Sequence, residues 1–344
     1  MAIITTTSET NNNKQRVLLV SVPRTASNLL VKILNIHNQP NAITNKMGGY
    51  FFYDAFMKAG RDGRLTKPLS QWTADEKLEI KSAFQQALDD LEAYSTQART
   101  ANKIMFAKEH AFWFLNPGSF TSRMNSPEPP EQMQEFHMSI PECYGSPTFS
   151  PNNKTILPDE YLRTWQLAFI IRHPALAWPS MYRAMQKLSK TGFIDEDGVK
   201  GVSIMNMSLE WTRKLFDWCL EQPDESVTPL VIDANDVIHN PGAVTKFCEK
   251  FGLDTACMQF EWDDAKSAGN AELEKQKEQN SIFLSTLQES TGVLKDKAPA
   301  SVDIDTEVAK WRVEFGDEIA QMLEKATRDS MPDYEYLKAN RVNV

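Results

Sequence analysis

Neither of the two glycine-rich phosphate loops is present: the chain has no G-x-x-x-x-G-K-[ST] and no G-x-G-x-x-G. A Walker-type nucleotide loop and a dinucleotide fingerprint are therefore excluded as the organising motif. Cysteine is sparse, and Cys143, Cys219, Cys248 and Cys257 stand in neither CxxC nor zinc-ligand spacing. That pattern points to buried reduced thiols rather than disulfides, and no metal site is expected. No apolar run approaches membrane-spanning length, and residues 1–13, MAIITTTSETNNN, hold no apolar core of signal-peptide length. The expectation is a soluble, cytoplasmic protein with a disordered tail at 1–13, a single α/β domain at 14–344 and no membrane partner. Positive charge is also short, with 37 Lys and Arg against 46 Asp and Glu and a net charge of −9. A nucleic-acid partner is excluded on that ground, because backbone binding draws on clustered cations. A locally positive pocket is not. No internal repeat is visible.

What is present is a chain of 344 residues with 41% hydrophobic content, enough for a sizeable core. Its organising stretch is 16–36. Residues 17–22 are apolar and rich in β-branched side chains, the pattern of a strand buried on both faces of a parallel sheet. Pro23 ends it. Ser27 or Asn28 is expected to cap a helix carrying Leu29, Leu30, Ile33, Leu34 and Ile36 at helical spacing. A strand, a tight turn and a helix start leave unpaired N–H groups where the helix dipole favours an anion. With Arg24, Thr25, Ser27 and Asn28 there, the turn reads as a phosphate or sulfate cradle. The alternative is an Arg24 on a solvated rim and a Ser27 that only caps.

Downstream, Thr73 and Glu76 have capping-box spacing and open a long amphipathic helix over 73–98, with Leu78, Phe84, Ala87, Leu88, Leu91 and Tyr94 on its apolar face. A second strand, KIMFA at 103–107, runs into Lys108-Glu109-His110. Lys108 and His110 point the same way if the chain stays extended. Residues 116–158 are dense in Pro, Ser and Asn, the composition of a lid-like insertion or a plain surface excursion; His137 either reaches a site or is merely exposed. A third strand, LAFII at 167–171, delivers Arg172 at the end where open parallel sheets bind ligands. Pro179 suits the first turn of the next helix, which would bring Ser180 and the helix N–H groups to the anion held by Arg172. The fold class is α/β, an open, mainly parallel β-sheet flanked by helices.

These motifs together resemble the cytosolic-type sulfotransferases, which use 3′-phosphoadenosine 5′-phosphosulfate (PAPS). The family's P-K-S-G-T-T-W loop is matched position by position by Pro23-Arg24-Thr25-Ala26-Ser27-Asn28-Leu29, with Arg24 for the lysine. Its Arg and Ser spaced by eight, with a Pro close after the Arg, are matched by Arg172, Pro174 and Ser180, and its K-x-H by Lys108 and His110. Residues 230–254 are similar to its strand, acidic loop and helix. The resemblance implies a P-loop-like sulfotransferase fold and PAPS as sulfuryl donor. It also implies that Arg24, Thr25, Ala26, Ser27 and Asn28 lie at the 5′-phosphosulfate, and Arg172 and Ser180 at the 3′-phosphate. His110 would be the general base, with Lys108 and Arg24 meeting the charge of transfer. The acceptor would be a small, largely apolar alcohol or phenol, with Tyr50, Phe51, Phe52 and Tyr53 as candidate lining residues. Three departures stand out: Ala26 replaces the loop glycine, Leu29 replaces the adenine-stacking tryptophan, and R-K-G-x-x-G-D-W is not recognisable near Ser290-Thr291-Gly292, Lys295 and Lys297. The alternatives are an ATP-using kinase or triphosphatase on a related sheet, and a non-catalytic binding protein of the same fold.

Overall fold

The computed structural model describes residues 15–192, 196–224, 227–262, 282–285 and 287–342, so the expected tail at 1–13 lies outside the described residues. Its centre is a five-stranded sheet in the order β2-β3-β1-β4-β5, with every neighbouring pair parallel. The strands are β1 (Arg16–Ser21), β2 (Ala42–Ile43), β3 (Ile104–His110), β4 (Gln166–Ile171) and β5 (Leu230–Asp233). From β1 the chain goes first to one side of the sheet, through β2 and β3, and then to the other, through β4 and β5. The loops leaving β1 and β4 therefore part at the carboxyl edge, the crevice where open α/β sheets take ligands.

Strand alternation sorts the core into two layers. On one face Val17, Leu19, Phe106, Ala168, Ile170 and Ile232 pack beneath α1 (Ser27–Ile33) and the helix Pro241–Lys250. On the other face Leu18, Val20, Met105, Ala107, Leu167, Phe169 and Val231 meet the larger helical layer. That layer includes α2 (Tyr53–Gly60) and α3 (Ala74–Thr100). Continuing the same alternation to the strand ends puts Lys108, His110, Ser21 and Arg172 on the α1 face, and Glu109 and Asp233 on the opposite one.

The long amphipathic helix forms as expected. The Thr73 hydroxyl accepts from the Glu76 N–H, and the Glu76 carboxylate accepts from the Thr73 N–H at 2.8 Å. Leu78, however, is 63% exposed and takes no part in the apolar face. The stretch at 116–158 is built into the fold through its own apolar residues, since Phe120, Phe136 and Met138 are core side chains. His137 stacks on Phe149 with ring centroids 3.4 Å apart. The C-terminal part of the chain forms two helices, Ile304–Phe315 and Asp317–Ala339, broken at Gly316, whose φ of 83° suits a residue without a Cβ. Among the described residues no helix is long and apolar enough to cross a membrane.

Asp159 anchors the end of the 116–158 stretch. Only 2% exposed, it accepts from Asn153 Nδ2 at 2.8 Å, from Trp218 Nε1 at 3.0 Å and from the Ser150 N–H at 2.8 Å. Asp159→Ala strands three buried donors, so it should destabilise the protein by about 2–4 kcal/mol in denaturant unfolding; Leu78→Ala should change stability by less than about 0.5 kcal/mol.

Candidate active site

Arg24, Lys108, His110 and Arg172 all come to the carboxyl edge of the sheet. The turn after β1 is left-handed at two non-glycine residues, with φ of 70° at Arg24 and 65° at Ala26. Each such residue costs on the order of 1 kcal/mol of strain. Thr25, fully buried, steadies the turn by donating from Oγ1 to the Val22 carbonyl at 2.8 Å. The expected side-chain cap at Ser27 or Asn28 does not form. Ala26 occupies the N-cap position with no side-chain hydrogen bond, because its left-handed conformation starts the helix one residue earlier and turns Ser27 and Asn28 to other partners. The Asn28 side-chain oxygen accepts from Lys108 Nζ.

Arg172 follows β4 directly. Its guanidinium donates to the Arg24 carbonyl at 3.0 Å and to the Lys297 carbonyl at 2.9 Å, while its Nε is buried with no hydrogen-bond partner. Arg24 donates from Nε to Ser180 Oγ at 3.0 Å and to the Phe283 carbonyl at 2.7 Å. Arg24, Arg172 and Ser180 thus form one group, although Ser180 arrives by a different route from the one expected. The helix begins at Pro174 under a His173 cap, and Pro179 lies inside Pro174–Ser189. Pro174 already fills the first-turn position that favours proline. Ser180 therefore contributes its hydroxyl from the second turn, away from the helix N–H groups. The Lys295–Lys297 turn reaches the site through its main chain, a placement signalled in the sequence only by two lysines without the full basic motif.

β3 stays extended through His110, so Lys108 and His110 do share a face. Lys108 is 1% exposed, its ammonium 4.2 Å over the Tyr50 ring, and burial pushes its pKa down to about 7, the Glu109 carboxylate opposing. Among the described residues none of Arg24, Lys108 and Arg172 has a carboxylate ion-pair partner: hydroxyl, amide and carbonyl oxygens and a ring meet them instead. Burial holds the Arg24 pKa below its ordinary value and brings Arg172 to about 10. A buried lysine and two half-buried arginines without an ion-paired carboxylate make a site receptive to an anion.

The imidazole of His110 is 6% exposed and sits among Tyr50, Phe112 and Trp113, the last at 4.2 Å between ring centroids. Ser21, its register partner on β1, lies 2.8 Å from Nδ1 and donates its own proton to the Glu109 carbonyl at 3.3 Å. With the Ser21 proton on that carbonyl, its oxygen accepts from Nδ1–H, and Nε2, 3.4 Å from the Tyr50 hydroxyl, is the basic nitrogen. Of the candidate acceptor-lining residues, Phe52 is a core side chain at 1% exposure, whereas Tyr50 and Tyr53 meet Trp113 at 4.7 and 4.9 Å. A cavity of about 260 Å³ opens beside Arg172, walled in part by His173, Asp233, Tyr334 and Lys338. Among the described residues no cluster of His, Cys, Asp or Glu could hold a metal ion.

The arrangement is that of an α/β protein with an anion-receptive carboxyl edge and a neutral histidine base beside it. No protein-family model matches the chain. Two relatives do, both named sulfotransferase ppzF. One, from Metarhizium majus (strain ARSEF 297), is 36% identical with 96% of this chain and 97% of the relative covered; the other, from Metarhizium rileyi (strain RCEF 4871), is 35% identical with 96% of each covered. A solved structure, the sulfotransferase domain from the Synechococcus PCC 7002 olefin synthase, aligns over 89% of this chain and 96% of its own at 14% identity and a TM-score of 0.34. The chain belongs to the sulfotransferase family, as its full-length likeness to the two curated relatives shows.

Burial drives the proton affinity of His110 well below the ordinary histidine range, and nearby Lys108 adds to this. Below pH 6.5 the unfolded chain protonates this histidine while the folded one does not, so stability rises with pH through that window and is lost on acidification. His110→Gln should flatten this part of the profile, by at most about 1.4 kcal/mol per pH unit. Denaturant unfolding of both proteins between pH 5 and 7 measures it.

Proposed function

We propose that the protein transfers the sulfuryl group of PAPS to the hydroxyl of a small, largely apolar alcohol or phenol, with His110 as general base. The observation that carries this reading is the trio of cations without carboxylate partners, Lys108 buried and Arg24 and Arg172 half-buried, beside the buried imidazole of His110. The fit to a bisphosphorylated nucleotide rests on the same group, including the orphaned Nε of Arg172. PAPS, the usual donor of sulfotransferases, supplies an activated sulfuryl group on a phosphate leaving group.

In this reading the turn from Arg24 to Asn28 holds the 5′-phosphosulfate end, and Arg172 with Ser180 holds the 3′-phosphate. The Arg24 guanidinium, turned to Ser180, lies with the 3′-end group and lends its main chain to the turn. Lys108 is then the cation of the transfer end, aimed at Asn28 on α1. Preorganised charge of this kind is usually the largest contribution to catalysis. His110 takes the acceptor proton at Nε2, a role worth roughly 10²- to 10⁴-fold. Arg24 keeps its charge at any working pH, so it serves as a fixed cation for the 3′-phosphate and does not meet the leaving group. The aromatic wall of Tyr53, Phe56 and Trp113 near the imidazole supports an apolar acceptor.

A thermal-shift comparison tests the donor: 3′-phosphoadenosine 5′-phosphate should stabilise the protein, and ATP and NAD should not. At pH 8, above the value of about 7 for Lys108, binding should take up close to one proton, because the arriving anion restores the ammonium. Calorimetry in buffers of different ionisation enthalpy reads that uptake. For the base, His110→Ala should lose roughly 10²-fold or more in kcat, and near-native turnover would remove it from the role.

A further inference from the structure

Tyr50 stands outside the motif residues assigned to nucleotide and base, yet it lies between them. Its hydroxyl is 3.4 Å from His110 Nε2, the Ser27 hydroxyl of the phosphate turn hydrogen-bonds the same phenol, and its ring carries the Lys108 ammonium. We propose that Tyr50 is a positioning residue of the transfer site, whose phenol links the phosphate turn to the base, keeps the imidazole neutral and points Nε2 toward the turn. The proposal rests on reading His110 as the base.

The direction of every bond in the chain follows from chemistry. Ser21 donates to a carbonyl, so it accepts from Nδ1–H; Nε2 then has only a lone pair, which accepts a hydrogen bond from the Tyr50 hydroxyl until an acceptor hydroxyl takes its place; the Tyr50 oxygen in turn accepts from Ser27. The result is one directed run, Ser27 to Tyr50 to His110 to Ser21 to the Glu109 carbonyl. Burial raises the pKa of the phenol, so it remains a donor over the whole working range.

The loop holding Tyr50 is pinned on both sides. Asn45 donates to the Tyr50 carbonyl at 2.6 Å and accepts from the Gly49 N–H at 2.9 Å. Glu109 Oε1 accepts from the N–H groups of Phe51 and Phe52. The Lys108 N–H donates to the Gly49 carbonyl at 3.0 Å, and a Cβ on Gly49 would come within 2.9 Å of that nitrogen, so the loop lies flat against β3 only with glycine there. The titratable groups facing the imidazole are Lys108 on its own strand, Tyr50 from this loop and Tyr53 of α2 across Trp113, while the Glu109 side chain projects to the opposite face.

Nitrogen-15 histidine NMR of the intact protein provides the test, with His110→Gln identifying the signal. The native imidazole should be the Nδ1–H tautomer with a hydrogen-bonded Nε2. Tyr50→Phe keeps the ring under Lys108 and removes only the phenol donor: the Nε2 resonance should move to the unbonded position and proton affinity rise about three- to tenfold. Backbone amide signals away from the site should stay native, confirming the fold of the variant. An unchanged His110 signal and titration in Tyr50→Phe, or a native Nε2–H tautomer, overturns the proposal. If the nucleotide fails to bind the native protein, the donor reading falls, while the imidazole signal still decides the role of Tyr50.

Discussion

The structure depends on uncompensated positive charge held at the edge of a dry sheet. Alternation along β1, β3 and β4 lines up apolar side chains for most of each strand and then, with the same period, places Ser21, Lys108, His110 and Arg172 on the α1 face. Charges in such a place ordinarily acquire carboxylate partners or lose their protons. Here neutral oxygens and a ring meet them, burial brings Lys108 close to losing its proton at neutral pH, and the acidic residues behind the net charge of −9 form no ion pair with them among the described residues. The acidic surplus and the cationic edge are compatible because the site's cations are few and lie half-buried or buried.

Much of this was legible in the sequence, for physical reasons. Strands buried on both faces announce themselves as continuous apolar runs, and three of the five strands are legible that way; β5 is legible only through the family resemblance, and β2, only Ala42–Ile43, is too short to show a period. The capping box at Thr73 is a local chemical signal and survived intact, as did the shared face of Lys108 and His110, which needs only an extended backbone.

What escaped was set by tertiary context. Pro179 looked like a first-turn proline because nothing local revealed that Pro174 had already taken that place. The helix cap was expected at Ser27 or Asn28, the residues chemically suited to it, but the left-handed backbone at Ala26 gave both side chains other work. Tyr50 lies 60 residues from His110 in sequence, within an aromatic run whose next-but-one member, Phe52, is ordinary core, so no pattern in that run separates the two.

The flat seat of Gly49 against β3 carries a further consequence. With Asn45 on one flank and Glu109 on the other, the floor beneath Lys108 and His110 is fastened before any ligand arrives. Little chain entropy is left to surrender there on complex formation, so association draws on contacts already in place rather than on ordering a loop. Breadth of acceptor choice then has to come from exchange of the rings at Tyr53, Phe56 and Trp113, since the floor beneath them has no slack to adapt.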